Sequence, residues 1–596
     1  MLNIKNKTTN LIAGFLLVFM FITALLSMAG DALTFDEVAH IGAGYSYLTQ
    51  QDYRMNPEHP PLIKDLAAIP LLFLNLNFPS DSPNWIQESA PAWWVQFDFG
   101  NDLLYKSGNN PVFITFLSRF PMILILLAMG YFIFRWAREL GGNLTAVLTL
   151  LLFSFSPTLI AHGRLVTTDI GAAFGLLFST YFWLKFLKNP VKKNIIIAGL
   201  AFGLALLIKF SLILLVPYFL ILALTYSRLY PDMQIGRMRT SFKYFILAMI
   251  TGIIGFLFVV GPVYQFHIWN YPVDHQVRDI ASNIAPKPFG ALRNIDIWMA
   301  DKPLLRPFAQ YFEGVLMATQ RVSYGNTVYL LGQVSSSGWW YYFPIIYLMK
   351  EPLALFFLIA LSLIGLFWKF SLKNNIRQGL IDLIKNNFTI FSLILFLVIY
   401  WTTAITGKLN IGIRHLMPTI PIMYLLVSLG LKNIIEKIET TKLKSFVSAV
   451  ISLLFIWYGV SSLSSFPYYI SYYNELAHGI NNGYKIAVDS NYDWGQDFYR
   501  LIKFMEKNKI EEIHLDHFGG ASPEYYLGDK YVRLNPRDLK TIPTEGWVAV
   551  SASQMQGGRA EAVQGFKETT DYYNWLDQYK PVARAGKSIF IYYLGD

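Results

Sequence analysis

The chain has 596 residues, of which 54% are hydrophobic and 15% charged. A soluble domain carries about 25% charged residues, so charge this sparse cannot cover a soluble protein of this size, and disorder, which needs low hydrophobicity, is excluded too. The net charge of +10 does not point to nucleic acid, because the basic residues gather in short loops between apolar runs and read as topology signals. With no cysteine, there is no disulfide framework, thiolate nucleophile or cysteine-ligated metal.

A bilayer-spanning helix needs roughly 20 mostly apolar residues. Such runs occur at 11–29, 112–134, 144–161, 169–187, 194–208, 210–226, 243–262, 351–368, 388–406, 413–431 and 445–464. They predict a polytopic α-helical membrane protein with about 11 spans. Lys209, costly at a bilayer centre, favours two helices joined by an external turn within 194–226. The first run exceeds a signal-peptide core and reads as an anchor.

With the N-terminus in the cytoplasm, the clusters Arg135/Arg138, Lys188/Lys192/Lys193, Arg228/Arg237/Arg239, Lys369/Lys373/Arg377 and Lys432/Lys437/Lys442/Lys444 all fall inside, as short cytoplasmic loops require. Residues 30–111, 263–350 and 465–596 then lie outside. The first two carry amphipathic and aromatic segments and are expected to lie on the membrane. The transmembrane domain is expected to cover 1–466. Residues 467–596 are expected to form an extracytoplasmic α/β domain, with strands at Tyr484–Val488, Glu512–Leu515, Trp547–Ser551 and Ser588–Tyr593 and a helix at Gln496–Glu506.

After the first span comes Thr34-Phe35-Asp36-Glu37. Thr34 and Glu37 read as a capping box, and acids suit a first helical turn. Phe35, Val38, Ile41, Tyr45 and Leu48 form an apolar stripe, while Asp36, His40 and Tyr47 share another face. Next comes Asn56-Pro57-Glu58-His59-Pro60-Pro61-Leu62-Ile63-Lys64, whose prolines suit a helix start. Lys64 reads either as a lysine snorkelling at the membrane surface or as one converging with free N–H groups on a phosphate.

An Asp-Glu pair after the first span, followed by His-Pro-Pro-Leu-x-Lys, resembles the protein O-mannosyltransferases (glycosyltransferase family 39). The layout is also similar to that of the bacterial aminoarabinose transferases. Both belong to the GT-C superfamily of polytopic glycosyltransferases. The resemblance is best over roughly the first 190 residues. It implies a GT-C fold, an extracytoplasmic active site and a sugar donor carried on polyprenyl phosphate. It makes Asp36 the catalytic base and Glu37 its neighbour, His59 and Lys64 donor-site residues, and Asp169 the second acidic position. The segments Gly338–Pro344, Arg414-His415-Leu416-Met417-Pro418 and Asp489–Asp497 look like motifs of bacterial relatives. The eukaryotic enzymes carry a β-trefoil after their seventh span; this chain has a C-terminal α/β domain instead.

Other residues leave more than one reading open. Asp169 also suits a helix N-terminus, and His162 and Arg164 just before it could line the same cavity. Arg414 and His415 open a span on the outer side, with Lys408 nearby. They read as headgroup contacts or, preferred here, as phosphate ligands, because arginine offers a planar fork. Trp339 and Trp340 read as an interface belt or as acceptor or lipid contacts, and His40 and Glu58 read as acceptor or lipid contacts. Lys350-Glu351 reads as a local ion pair. Asp489, Asp493 and Asp497 read as a strand-to-helix turn or, less favoured, as a metal loop.

The function expected is therefore inverting transfer of a sugar from a polyprenyl-phosphate donor to a hydroxyl on a protein, lipid or glycan. Asp36 acts as base, and Lys64 and Arg414 stabilise the departing phosphate. No cofactor is required; a divalent cation bridged by Asp36 and Asp169 is an open alternative. The protein is expected in the inner (plasma) membrane. Rival readings are a lipid or glycan transporter or flippase, and a non-catalytic assembly subunit.

Overall fold

A computed structural model of the chain describes residues 5–367, 381, 384–563 and 565–595. Trp368, which ends one expected span, and Lys369, Lys373 and Arg377 of one basic cluster lie outside the described residues. The apolar runs are mainly helical where described, from Asn6–Met28 to Thr441–Leu463. Their composition explains why. In the first helix Leu11, Phe15, Val18, Ile22 and Leu26 form an exposed stripe for lipid, while Met20 and Ala24 on the other side are fully buried.

Among the described residues, eight helices are long and apolar enough to cross a membrane, or nine if Tyr342–Lys350 and Leu353–Gly365, bent by 104°, count as one. One of the eight, Pro111–Ser154, is two helices meeting at Gly142, where φ is 76°. The expected span 144–161 breaks after Ser154. A short helix, Pro157–His162, restarts where the Ser156 hydroxyl accepts from Leu159 N at 3.2 Å and Pro157 takes the first position. Lys209 sits between the helices Lys192–Leu206 and Leu215–Leu229, as expected for a turn.

Among the described residues, eight short strands follow one another along the chain. They are β1 (Val328–Leu330), β2 (Gln333–Ser335), β3 (Ile513–Asp516), β4 (Tyr531–Arg533), β5 (Gly546–Ser551), β6 (Glu561–Val563), β7 (Ala583–Ala585) and β8 (Ile589–Leu594). Five form a mixed sheet in the order β4-β3-β5-β8-β7. β3 runs parallel to β4 and β5, and β8 runs antiparallel to β5 and β7. The second sheet joins two parts of the chain. The β1–β2 hairpin comes from the loop after residue 263, and β6 pairs parallel with β2.

Tyr484–Val488 is not a strand as expected. It begins in a short 3-10 turn at Gly483–Lys485, and the Tyr484 ring packs on Phe590 instead of extending the sheet. The run Asp489–Asp497 opens in a 3-10 turn at Asp489–Asn491 and has no α-helix. Asp497 precedes the helix Phe498–Asn508.

This C-terminal part is bonded to the first loop through its backbone. Ala32 N donates to Gln496 O at 2.9 Å, Phe35 N to Trp494 O at 3.1 Å, and Gly520 N to Leu33 O at 3.1 Å.

Candidate active site

The helix Phe35–Gln50 begins with the capping box its sequence dictates. Thr34 N and Oγ1 both donate to Glu37 Oε2 at 3.0 Å. Glu37 also receives Arg119 Nε at 2.8 Å and Nη2 at 2.5 Å, and Val166 N at 2.9 Å. Burial works against its charge, but the Arg119 guanidinium and these donors hold its carboxyl below the usual glutamate range. Glu37 is therefore a buried hub, and its side chain does not border the cavity described next. The resemblance makes Glu37 the neighbour of the base Asp36, and here that neighbour faces Arg119 and not the cavity.

Asp36, one residue away, turns the other way. It borders a cavity of about 370 Å³. Its Oδ2 accepts from Arg414 Nη1 at 2.7 Å. Arg414 Nη1 also lies 3.7 Å from Asp169 Oδ2, and Asp169 Oδ1 is ion-paired with Lys209. Arg414 thus stands between the two acids, and Lys209 pairs with Asp169. The position at which a cation would bridge Asp36 and Asp169 is occupied by the guanidinium. No group of three or more His, Asp or Glu among the described residues is arranged to hold a metal.

His40, one turn after Asp36, borders the same cavity. Its Nδ1 lies 2.7 Å from Val166 O, which assigns the proton to Nδ1 and leaves Nε2 as an acceptor. The His59 ring meets it edge-on at 5.1 Å. Burial pushes both imidazoles below the usual histidine range, only partly offset by Asp36 at His40, so both are neutral at neutral pH. Glu58 accepts from Arg321 Nη1 at 2.6 Å and from Trp93 Nε1 at 3.1 Å. His415, Lys209 and Arg321 add further charged or polar groups. Most of the remaining wall is apolar, including Phe210, Ile213 and Leu214 after the Lys209 turn and Val315, Ala318 and Val322 on the helix Arg306–Tyr324, with Asn56, Thr168, Ser211 and Thr319 among its uncharged polar groups.

Lys64 is placed differently from either expectation. It is fully buried, so it does not snorkel. It does not border the cavity either. Its Nζ donates to Tyr47 Oη and Asn56 O at 2.9 Å, Asn56 Oδ1 at 3.0 Å and His59 O at 2.7 Å, above the Tyr47 ring. The helix that carries it, Leu62–Ala68, is only seven residues long, and Leu62 N is already spent on Leu207 O at 3.1 Å. The close packing has a sequence cause: a Cβ at Gly44 would strike the Lys64 carbonyl. Lys64 fixes the 56–59 turn, which carries Glu58 and His59 into the cavity.

The remaining expectations divide. His162 and Arg164 lie outside the cavity lining; Arg164 is buried against Asp31 at 2.7 Å. Trp339 is buried, Trp340 is exposed, and neither borders the cavity. Lys350 and Glu351 do not bond to each other. Lys350 Nζ donates to Ile470 O and Asn491 O, while Glu351 accepts from Thr158 and Tyr424. Sequence reasoning used Lys209 only as a topology signal and passed over Arg321. The clue at Lys209 was a lone cation among apolar residues on the outer side; at Arg321 nothing local marks the site.

Residues 114–260 match the model of a family described as dolichyl-phosphate-mannose-protein mannosyltransferase. That match bears out the resemblance to GT-C glycosyltransferases read from the first loop. Among solved structures, the chain is similar to the archaeal oligosaccharyltransferase AglB from Archaeoglobus fulgidus in complex with an inhibitory peptide and a dolichol-phosphate. The identity is 12% and the TM-score 0.42, over 75% of this chain and 56% of that one. It is also similar to ArnT from Cupriavidus metallidurans bound to undecaprenyl phosphate, with 11% identity and a TM-score of 0.29 over 98% of both chains. The chain thus spans little more than half the length of the oligosaccharyltransferase. No curated protein matches it.

Proposed function

We propose that this protein is an inverting glycosyltransferase that moves a sugar from a polyprenyl-phosphate donor to a hydroxyl acceptor on the extracytoplasmic face of the membrane. The observation that carries the reading is one cavity that brings charged groups and a largely apolar lining together. A carboxylate and a guanidinium in contact, Asp36 and Arg414 at 2.7 Å, sit at a wall that is otherwise largely apolar. A lipid-linked phosphate has the same two components. The matched family's name supplies the sugar-phosphate class.

In the reaction, the acceptor oxygen forms a bond to the anomeric carbon as the bond from that carbon to the phosphate oxygen breaks. The electron pair leaves with the phosphate, and the acceptor proton passes to Asp36. Asp36 Oδ2 is held by Arg414, which leaves Oδ1 as the base. Arg414 and Lys209 offset the charge that grows on the phosphate. The neutral imidazole of His40 accepts a hydrogen bond from the sugar or the acceptor. A single displacement inverts the anomeric centre.

The test uses purified protein in nanodiscs with a panel of radiolabelled polyprenyl-phosphate sugars and a membrane extract as acceptor. Release of lipid phosphate with transfer of label is expected for wild type. Asp36→Asn should lose about 10²–10⁴-fold in turnover, the range of general-base catalysis, while melting close to wild type. Equal turnover in the two would remove Asp36 as the base, and no turnover with any donor would remove the transferase reading.

A further inference from the structure

Two segments remain without a role in this scheme, Asp489–Asp497 and the turn before Arg414. We propose that they form one device: Ser490, Asn491 and Trp494 of the C-terminal region are positioning residues that fix the Arg414 side chain in the orientation that binds the lipid phosphate. The proposal rests on the reading of Arg414 given above.

An arginine side chain carries about 2 kcal/mol of rotamer freedom, which must be removed before its fork can act in a fixed geometry. Here it is held at three points. Arg414 Nε donates to Ser490 Oγ at 3.2 Å, and Nη1 donates to Asp36. The Trp494 ring lies under the guanidinium at 4.4 Å. The Ser490 hydroxyl spends its own proton on Ile411 O at 2.6 Å, so its free lone pair faces Arg414 as an obligate acceptor. Asn491 holds the backbone beside it: Oδ1 accepts from Ile413 N at 2.9 Å and Nδ2 donates to Tyr342 Oη at 2.9 Å. Lys350 Nζ ties the Asn491 carbonyl down at 2.7 Å. Ser490 and Asn491 are both fully buried.

Gly412 makes the approach possible. Its φ is +148°, and a Cβ there would strike Ser490 Oγ. Gly412 therefore serves both the turn and the contact. Buried polar groups need partners in any protein. What exceeds that need is the convergence of one segment on the side chain that donates to the Asp36 carboxylate.

The experiment measures binding of a 55-carbon polyprenyl monophosphate, and of the polyprenol of the same length, to the full-length protein in nanodiscs. Wild type should prefer the phosphate. Ser490→Ala should weaken the phosphate about tenfold, the effect of one hydrogen bond to a charged group, and leave the alcohol unchanged. Gly412→Ala, which wedges Ser490 away, should do the same. In an Arg414→Ala background, which itself loses the phosphate preference, Ser490→Ala should have no further effect.

Equal weakening of both lipids, persistence of the Ser490→Ala effect without Arg414, or an unchanged preference in Arg414→Ala would each overturn the proposal. These readings need no turnover. A Ser490- and Arg414-dependent phosphate preference without sugar transfer would keep the positioning device and discard the glycosyltransferase.

Discussion

The guanidinium of Arg414 rests 4.4 Å from the centroid of the Trp494 ring, so a cation at the mouth of the membrane bundle is seated on an aromatic face from the C-terminal region. A desolvated contact of this kind contributes about 2 kcal/mol. Trp494→Ala is therefore expected to lower kcat/KM about 30-fold at that energy, and Trp494→Phe, which keeps a smaller π face, should retain part of the rate. Steady-state kinetics with the active donor checks both.

Glu37 and Asp36 are adjacent and should behave as opposites. Removing the Glu37 charge leaves Arg119 buried without its partner, a loss of about 3–5 kcal/mol. Glu37→Gln is expected to lower the melting temperature sharply, whereas Asp36→Asn should hardly move it. Fluorescence-monitored melting in detergent separates them, and equal melting of the two would contradict the hub assigned to Glu37.

Lys64 separates a fold role from a donor role. Its ammonium serves four oxygens in a closed site, so Lys64→Arg, which keeps the charge but not the shape, should destabilise the protein. The fraction that still folds should retain its preference for polyprenyl phosphate over polyprenol. A variant of normal stability that loses only this preference would return Lys64 to the donor site.

The helices Val273–Asn283, Pro286–Ala300 and Arg306–Tyr324 enclose two carboxyls, Asp296 and Glu313, with no ion-pair partner among the described residues. Burial, and then the neighbouring Glu313, push Asp296 up to about 9, and burial pushes Glu313 up to about 7. Asp296 has no hydrogen-bond partner on either oxygen, and Glu313 takes only the neutral amides of Asn283 and Gln310. Both carboxyls hold protons that an unfolded chain releases near pH 4. Stability should thus fall as pH rises from about 4 through 7 to 9. Asp296→Asn is expected to flatten that fall above pH 7 and to raise the melting temperature at pH 8.

What the sequence made legible was what is local or periodic. The capping box spans four residues, and both its hydrogen bonds form. Asp36 and His40 share a helix face by spacing alone and do face one cavity. Lys64 was misplaced because its acceptors are turn carbonyls, which no side-chain pattern records. The free N–H groups expected near Lys64 are also fewer than the pattern suggests, since Leu62 N is spent on Leu207 O. Arg321 and Ser490 were illegible for a different reason: each meets the site across a long stretch of chain, and only the fold brings them there. Tyr484–Val488 has β-rich composition but packs its aromatic side chain on the sheet, so tertiary contact overrode propensity.

The Asp36–Arg414 pair joins positions 378 residues apart, and the backbone bonds from 494 and 496 back to 35 and 32 reach farther still. A ribosome making this protein releases the first loop long before those partners exist. Until the late segment is made and docks, the loop has its carboxylate and two histidines but neither the guanidinium nor the tryptophan that meet them here. On the function proposed above, the order of synthesis would withhold the complete cavity from every unfinished copy.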